Sequence, residues 1–66
     1  MKDLMGIPIY VGETILAISG IDRTIEIIES INEVTNSILT EEGNVYFSGN
    51  ILGVEDIKNN NAEYFV

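Results

Sequence analysis

Eleven carboxylates and three cations, with no histidine, cysteine or tryptophan, set the chemistry open to this chain. Two pairs of neighbouring acids, Glu41-Glu42 and Glu55-Asp56, are the first place to look for a divalent-cation site. Consecutive residues of a strand point to opposite faces, so neither pair converges on one ion, and both read as solvated turn charges. The missing histidine and cysteine remove His-centred triads, thiolate nucleophiles, zinc sites of the usual type and disulfide staples together. A general base would have to be a carboxylate, Lys2 or Lys58, and nothing in the pattern marks one of them as buried. Phosphate-cradling glycine loops, an EF-hand loop and the Gly-x-Ser-x-Gly elbow are also absent. The expectation is a protein that is not an enzyme and holds no metal or cofactor.

The elements that could position any such residues must fit in 66 residues, which is one small domain spanning 1–66 and near the lower limit for a self-sufficient core. An apolar fraction of 45%, dominated by isoleucine, is high enough for such a domain to leave apolar surface exposed, which points to a homo-oligomer. The net charge of −8, with Lys2, Arg23 and Lys58 as the only cations, repels a phosphate backbone. Direct nucleic-acid binding is therefore not expected. A basic protein, including one that itself binds nucleic acid, is the electrostatic complement, although the same charge would also keep a greasy domain soluble. No apolar run approaches membrane-spanning length and no secretory leader pattern occurs, so no membrane association and a cytoplasmic location are expected.

The segment Asp3 to Ala17 reads as a turn feeding a strand. Gly6 sits in the turn, Pro8 at an edge or strand-entry position and Gly12 at a second bend, with Ile7, Ile9 and Val11 on one face. Glu13 to Ser19 reads as a strand with both faces partly covered, ending at Gly20. The pattern Asp3-x-x-Gly6-x-x-Ile9-x-x-Gly12-Glu13-x-Ile15 resembles the opening of small SH3-like β-barrel proteins common in bacteriophage genomes, where an acidic residue after the second glycine opens the first barrel strand. The resemblance covers about a quarter of the chain. It implies a phage origin and an accessory role in the infected cell, and supplies no site residues.

Residues 22–40 admit two readings. Ile27, Ile31, Val34 and Ile38 have the spacing of an amphipathic helix with Asp22 as its N-cap, which would give an α+β fold of hairpin, helix and hairpin. The β-branched content and Thr35-Asn36 favour two strands instead, Thr24 to Ile31 pairing with Ser37 to Glu41 around a turn at Asn32 to Asn36. The second reading gives a mainly β chain, a small SH3-like five-stranded barrel. Further on, Glu42-Gly43 reads as a two-residue hairpin loop that sets Thr40 opposite Val45, Leu39 opposite Tyr46 and Ile38 opposite Phe47. Ile38, Val45 and Phe47 then face the core, while Leu39 and Tyr46 form either an outer contact patch or an ordinary cross-strand pair. Asn50 to Ile57 reads as a closing strand and Lys58 to Asn61 as a polar breaker. The apolar tail Ala62 to Val66 either docks on its own barrel or adds as a strand to a partner.

These features lead to a phage-encoded interaction protein that binds and inhibits or redirects a host protein, such as a nucleic-acid-acting or defence factor. In its sharper form the carboxylates of Asp22, Glu26, Glu29, Glu33, Glu41, Glu42, Glu55 and Asp56 mimic a phosphate backbone, and Leu39 with Tyr46 provides an apolar anchor. A self-associating assembly module and a binder of small ligands such as nucleotides are the alternatives. The last is disfavoured because Arg23 is the only arginine.

Overall fold

The computed structural model describes residues 1–53. Within them it contains five strands, β1 (Thr14–Ser19), β2 (Asp22–Asn32), β3 (Ser37–Thr40), β4 (Val45–Phe47) and β5 (Ile51–Gly53), with one turn of 3-10 helix at Ser48–Asn50. All pairings are antiparallel, in the order β4-β3-β2-β1-β5. The chain is thus mainly β, with a five-stranded sheet among the described residues, and the helix entertained for residues 22–40 does not form.

The physical reason for that outcome lies in β2. Its first half pairs with β1 and its second half with β3, and the register shifts between Ile28 and Ser30. One extra residue, Glu29, is accommodated there, so the inward positions step from Ile28 to Ile31 rather than by two. That three-residue step counterfeits helical spacing in the sequence. The expected turn closes as Asn32 Oδ1 accepts from the Val34 and Thr35 amides at 3.0 and 3.2 Å. Asn36 completes it in the left-handed region at φ 56°, a conformation asparagine tolerates better than β-branched residues do.

Bending at the bulge turns the two halves of the sheet toward each other. Ile9, Ile15, Ala17, Ile28, Ile38 and Ile51 form one buried cluster with Met1, Ile31 and Tyr46 against it. Ile38 on β3 and Ile51 on β5 are separated by β2 and β1, which in a flat sheet would set them about 14 Å apart. Their common core requires a curled, barrel-like sheet.

The first strand has both faces covered, as the sequence suggests, since Ile15, Leu16 and Ala17 are all buried. The segment before it departs from expectation. Residues 7–11 are not a strand, and of the three residues read as one face only Ile9 is buried, while Ile7 and Val11 are exposed. Asp3 explains this, because its carboxylate organises a tight turn instead. Oδ1 accepts from the amides of Met5 and Ile7 at 2.9 and 3.0 Å, and Oδ2 accepts from Gly53 at 3.0 Å. With the Leu4 amide donating to the Ile51 carbonyl at 2.8 Å, the N-terminal segment lies along the outer edge of β5 and leads Ile9 into the core. The closing strand runs from Ile51 to Gly53. The remainder of the expected strand to Ile57, the polar breaker and the tail lie outside the described residues.

Candidate protein-interaction surface

The β3–β4 hairpin carries exposed apolar and acidic side chains side by side, and its register differs from the sequence reading by one residue. Leu39 pairs with Val45, Ile38 with Tyr46 and Ser37 with Phe47. The cause is the loop. The Gly43 amide donates to the Thr40 carbonyl at 2.9 Å and the Thr40 amide to the Asn44 carbonyl at 2.8 Å, with Gly43 at φ 85°. This is a three-residue loop, a turn followed by a left-handed glycine, rather than the two-residue loop expected. An alanine at Gly43 would meet no neighbouring atom but must adopt the left-handed conformation. Gly43→Ala is therefore expected to lower stability by about 1–2 kcal/mol, measured as a shift of the urea midpoint at unchanged slope.

The one-residue change exchanges the faces. Ile38 and Tyr46 point inward, while Leu39, Val45 and Phe47 share the outer face. Val45 is 60% exposed and Phe47 is 58% exposed, and Leu39 is half-buried beside them. The expected core positions of Val45 and Phe47 are thus corrected, and so is the Leu39–Tyr46 patch, whose members lie on opposite faces. Among the described residues, no strand pairs with the outer edge of β4. Asn44 and Ser48 point their backbone groups at β3, so by alternation Val45 and Phe47 direct theirs outward.

Inside the hairpin, Tyr46 belongs to a polar cluster around Glu26, which is 3% exposed. The Glu26 carboxylate accepts from Thr24 Oγ1, Thr40 Oγ1 and Tyr46 OH at 2.7 Å each and from Asn44 Nδ2 at 2.9 Å. Burial pushes its carboxyl up, but the four hydrogen bonds more than offset this and bring it down to about 2. The same contact raises the Tyr46 phenol, chiefly because its hydrogen is held by Glu26. A carboxylate so acidic and so fully engaged is a poor proton acceptor at neutral pH. Its consequence is mechanical: one side chain on β2 ties together β3, the loop and β4.

Glu26 therefore does not belong to an external acidic surface. The other acids divide by position. Glu41 and Glu42 are exposed on the hairpin loop, which the Glu41 amide fastens to the Ile27 carbonyl at 2.9 Å. Glu29 is exposed at the β2 bulge, and Asp22 is exposed at the distant β1–β2 turn. Glu33 is exposed and bonds the Met1 amino group at 2.8 Å. Glu55 and Asp56 lie outside the described residues. The structure thus brings Glu41 and Glu42 together with Leu39, Val45 and Phe47 on one hairpin, and leaves Asp22 apart from them.

Three important residues escape the sequence reading. Val45 and Phe47 are misplaced by the loop length, for which Thr40-Glu41-Glu42-Gly43 was the available signal. Asp3 is recognisable only as an acid before a Gly-containing turn. Among the described residues no group of three acidic side chains is placed to hold a metal ion and no cavity opens. No helix among them is long and apolar enough to cross a membrane. Comparison of the chain with protein-family models, curated proteins and solved structures gives no match.

Proposed function

We propose that this chain is a phage-encoded, non-enzymatic interaction protein that acts in the host cytoplasm, binding a basic, nucleic-acid-acting host protein and inhibiting or redirecting it. The observation that carries the reading is the β3–β4 hairpin, which joins an exposed apolar face of Leu39, Val45 and Phe47 to the acidic Glu41-Glu42 loop. An aromatic residue with apolar neighbours supplies binding free energy, and adjacent carboxylates supply steering and selectivity for a basic partner. The phage origin rests on the resemblance of the opening segment to SH3-like phage proteins; in that segment Gly6 and Gly12 take positive φ and β1 begins directly after Glu13. Phosphate mimicry narrows accordingly to Glu41, Glu42 and the nearby Glu29.

A self-associating module is the second reading, favoured by the outer edge of β4, unpaired among the described residues and flanked by exposed Val45 and Phe47. Affinity capture from a bacterial host lysate at low and high salt tests both. A near-stoichiometric partner is expected, released by salt and reduced about tenfold by Glu41→Lys/Glu42→Lys and by Val45→Ser/Phe47→Ser. Recovery of the chain alone, with sedimentation as a dimer that Val45→Ser/Phe47→Ser abolishes, would instead establish self-association.

A further inference from the structure

The two edges of the sheet are finished differently. At β5 the Leu4 amide donates to the Ile51 carbonyl at 2.8 Å and Asp3 Oδ2 accepts from the Gly53 amide at 3.0 Å, so the N-terminal segment uses the outward backbone groups of that strand. At β4 no described strand does the same. The amides and carbonyls of Val45 and Phe47 point away from β3, because Asn44 and Ser48 on the alternate positions bond to Thr40 and Asn36. Their side chains stand on the outer face, well exposed.

An edge of this kind takes an extended segment, which gains backbone hydrogen bonds and sets every second side chain beside the exposed face. Charge decides which segment fits. Glu41 and Glu42 are exposed on the loop that leads into β4, whereas the uncharged Ser48, Gly49 and Asn50 follow Phe47 at the other end. A second copy of this chain is a poor occupant, since it carries a net charge of −8 and the Val45-Tyr46-Phe47 strand offers no cation to Glu41 and Glu42.

We propose that the partner docks by adding an extended segment to the outer edge of β4, with apolar or β-branched residues at alternate positions opposite Val45 and Phe47 and with arginine or lysine beside Glu41 and Glu42. The added strand runs antiparallel, as every pairing in this sheet does, which places its basic residues C-terminal to the apolar pair. The proposal rests on the reading of the hairpin as a partner-binding surface and specifies what that surface recognises.

An alternating peptide, acetyl-Thr-Val-Thr-Val-Arg-Arg-amide, tests it by amide NMR of the full-length protein. In the free protein the Val45 and Phe47 amides are expected to exchange rapidly and that of Tyr46 slowly. Added peptide is expected to shift and protect Val45 and Phe47. Methylation of the two valine nitrogens, which face β4, is expected to weaken binding about tenfold, whereas methylation of the threonine nitrogen between them, which faces away, has little effect. Glu41→Lys/Glu42→Lys weakens binding of this peptide severalfold and favours one ending in two glutamates. No shift at residues 45–47, or equal loss from the two methylation patterns, would overturn the proposal. So would protection of the Val45 and Phe47 amides before peptide is added, which would assign the edge to the chain itself or, where protection rises with concentration, to a second copy. A captured partner that slows exchange at 39–47 while the peptide leaves 45–47 unmoved would sink strand addition and spare the functional reading. Peptide bound at 45–47 with no basic partner captured would do the reverse.

Discussion

Glu26→Ala is expected to be among the most damaging single substitutions in the described fold, lowering stability by about 3 kcal/mol. Four donors converge on this carboxylate from Thr24, Thr40, Asn44 and Tyr46, and removal leaves them without their acceptor, the Thr40 hydroxyl in a fully buried position. A domain of this length holds roughly 3–10 kcal/mol in total, so a large unfolded population is expected at ambient temperature. Glu26→Gln preserves shape but introduces an amide donor among donors, and is expected to cost about 2 kcal/mol. The two variants also differ from the parent in acid. The folded carboxyl lies at about 2 against an ordinary 4.5, so the unfolded state binds the proton first. The stabilisation is fully present above the ordinary value and is lost as pH falls from about 4.5 to about 2, amounting to about 3 kcal/mol across that window. Burial raises the Glu13 carboxyl, which acts in the opposite sense. Urea titrations from pH 7 to pH 2 should therefore show a steep acid loss in the parent chain and a flatter one in Glu26→Gln. An equally steep loss in that variant would contradict the assignment.

Asp3→Ala is expected to have a comparable effect by a different route. The Asp3 carboxylate holds the amides of Met5, Ile7 and Gly53 and so joins the N-terminal turn to the final described strand. Its loss frees the segment that carries Ile9 into the core and exposes the edge of β5. A cost of about 3 kcal/mol is expected. Hydrogen exchange should accelerate first at Met5, Ile7 and Gly53, ahead of the β3–β4 hairpin. Asp3→Asn keeps one acceptor oxygen but places an amide NH2 toward a donor, and about half the loss is expected. Retention of parent-like stability in Asp3→Ala would show that the backbone bonds from Asp3 and Leu4 suffice.

These two acids show where the sequence was legible and where it was not. The apolar alternation of β1 could be read directly, because local propensity and buried pattern agree there, whereas at the turn of Asn32 to Asn36 and the β2–β3 pairing the propensity for strands stood against a helical apolar spacing. Ambiguity at residues 22–40 arose at a real structural feature, the Glu29 bulge, which converts a period of two into one step of three. Glu26 was assigned to the surface because a charge within a strand ordinarily faces water. Its partners come from β2 itself, β3, the loop and β4, and no local pattern announces such a cluster. The hairpin face was misassigned for a simpler reason, since one additional loop residue reverses every side chain that follows it. The acidic loop was therefore visible in the sequence, whereas the apolar face beside it emerged only with the register.

The most direct test of the binding surface is amide hydrogen exchange on the full chain with and without its captured partner. Slowed exchange confined to residues 39–47, with β1 unchanged beyond its existing protection, is the expected result. Slowing centred instead on Tyr10 and Val11 or on the β1–β2 turn at Gly20 and Ile21, with 39–47 unaffected, would contradict the account and move the interaction surface off the hairpin.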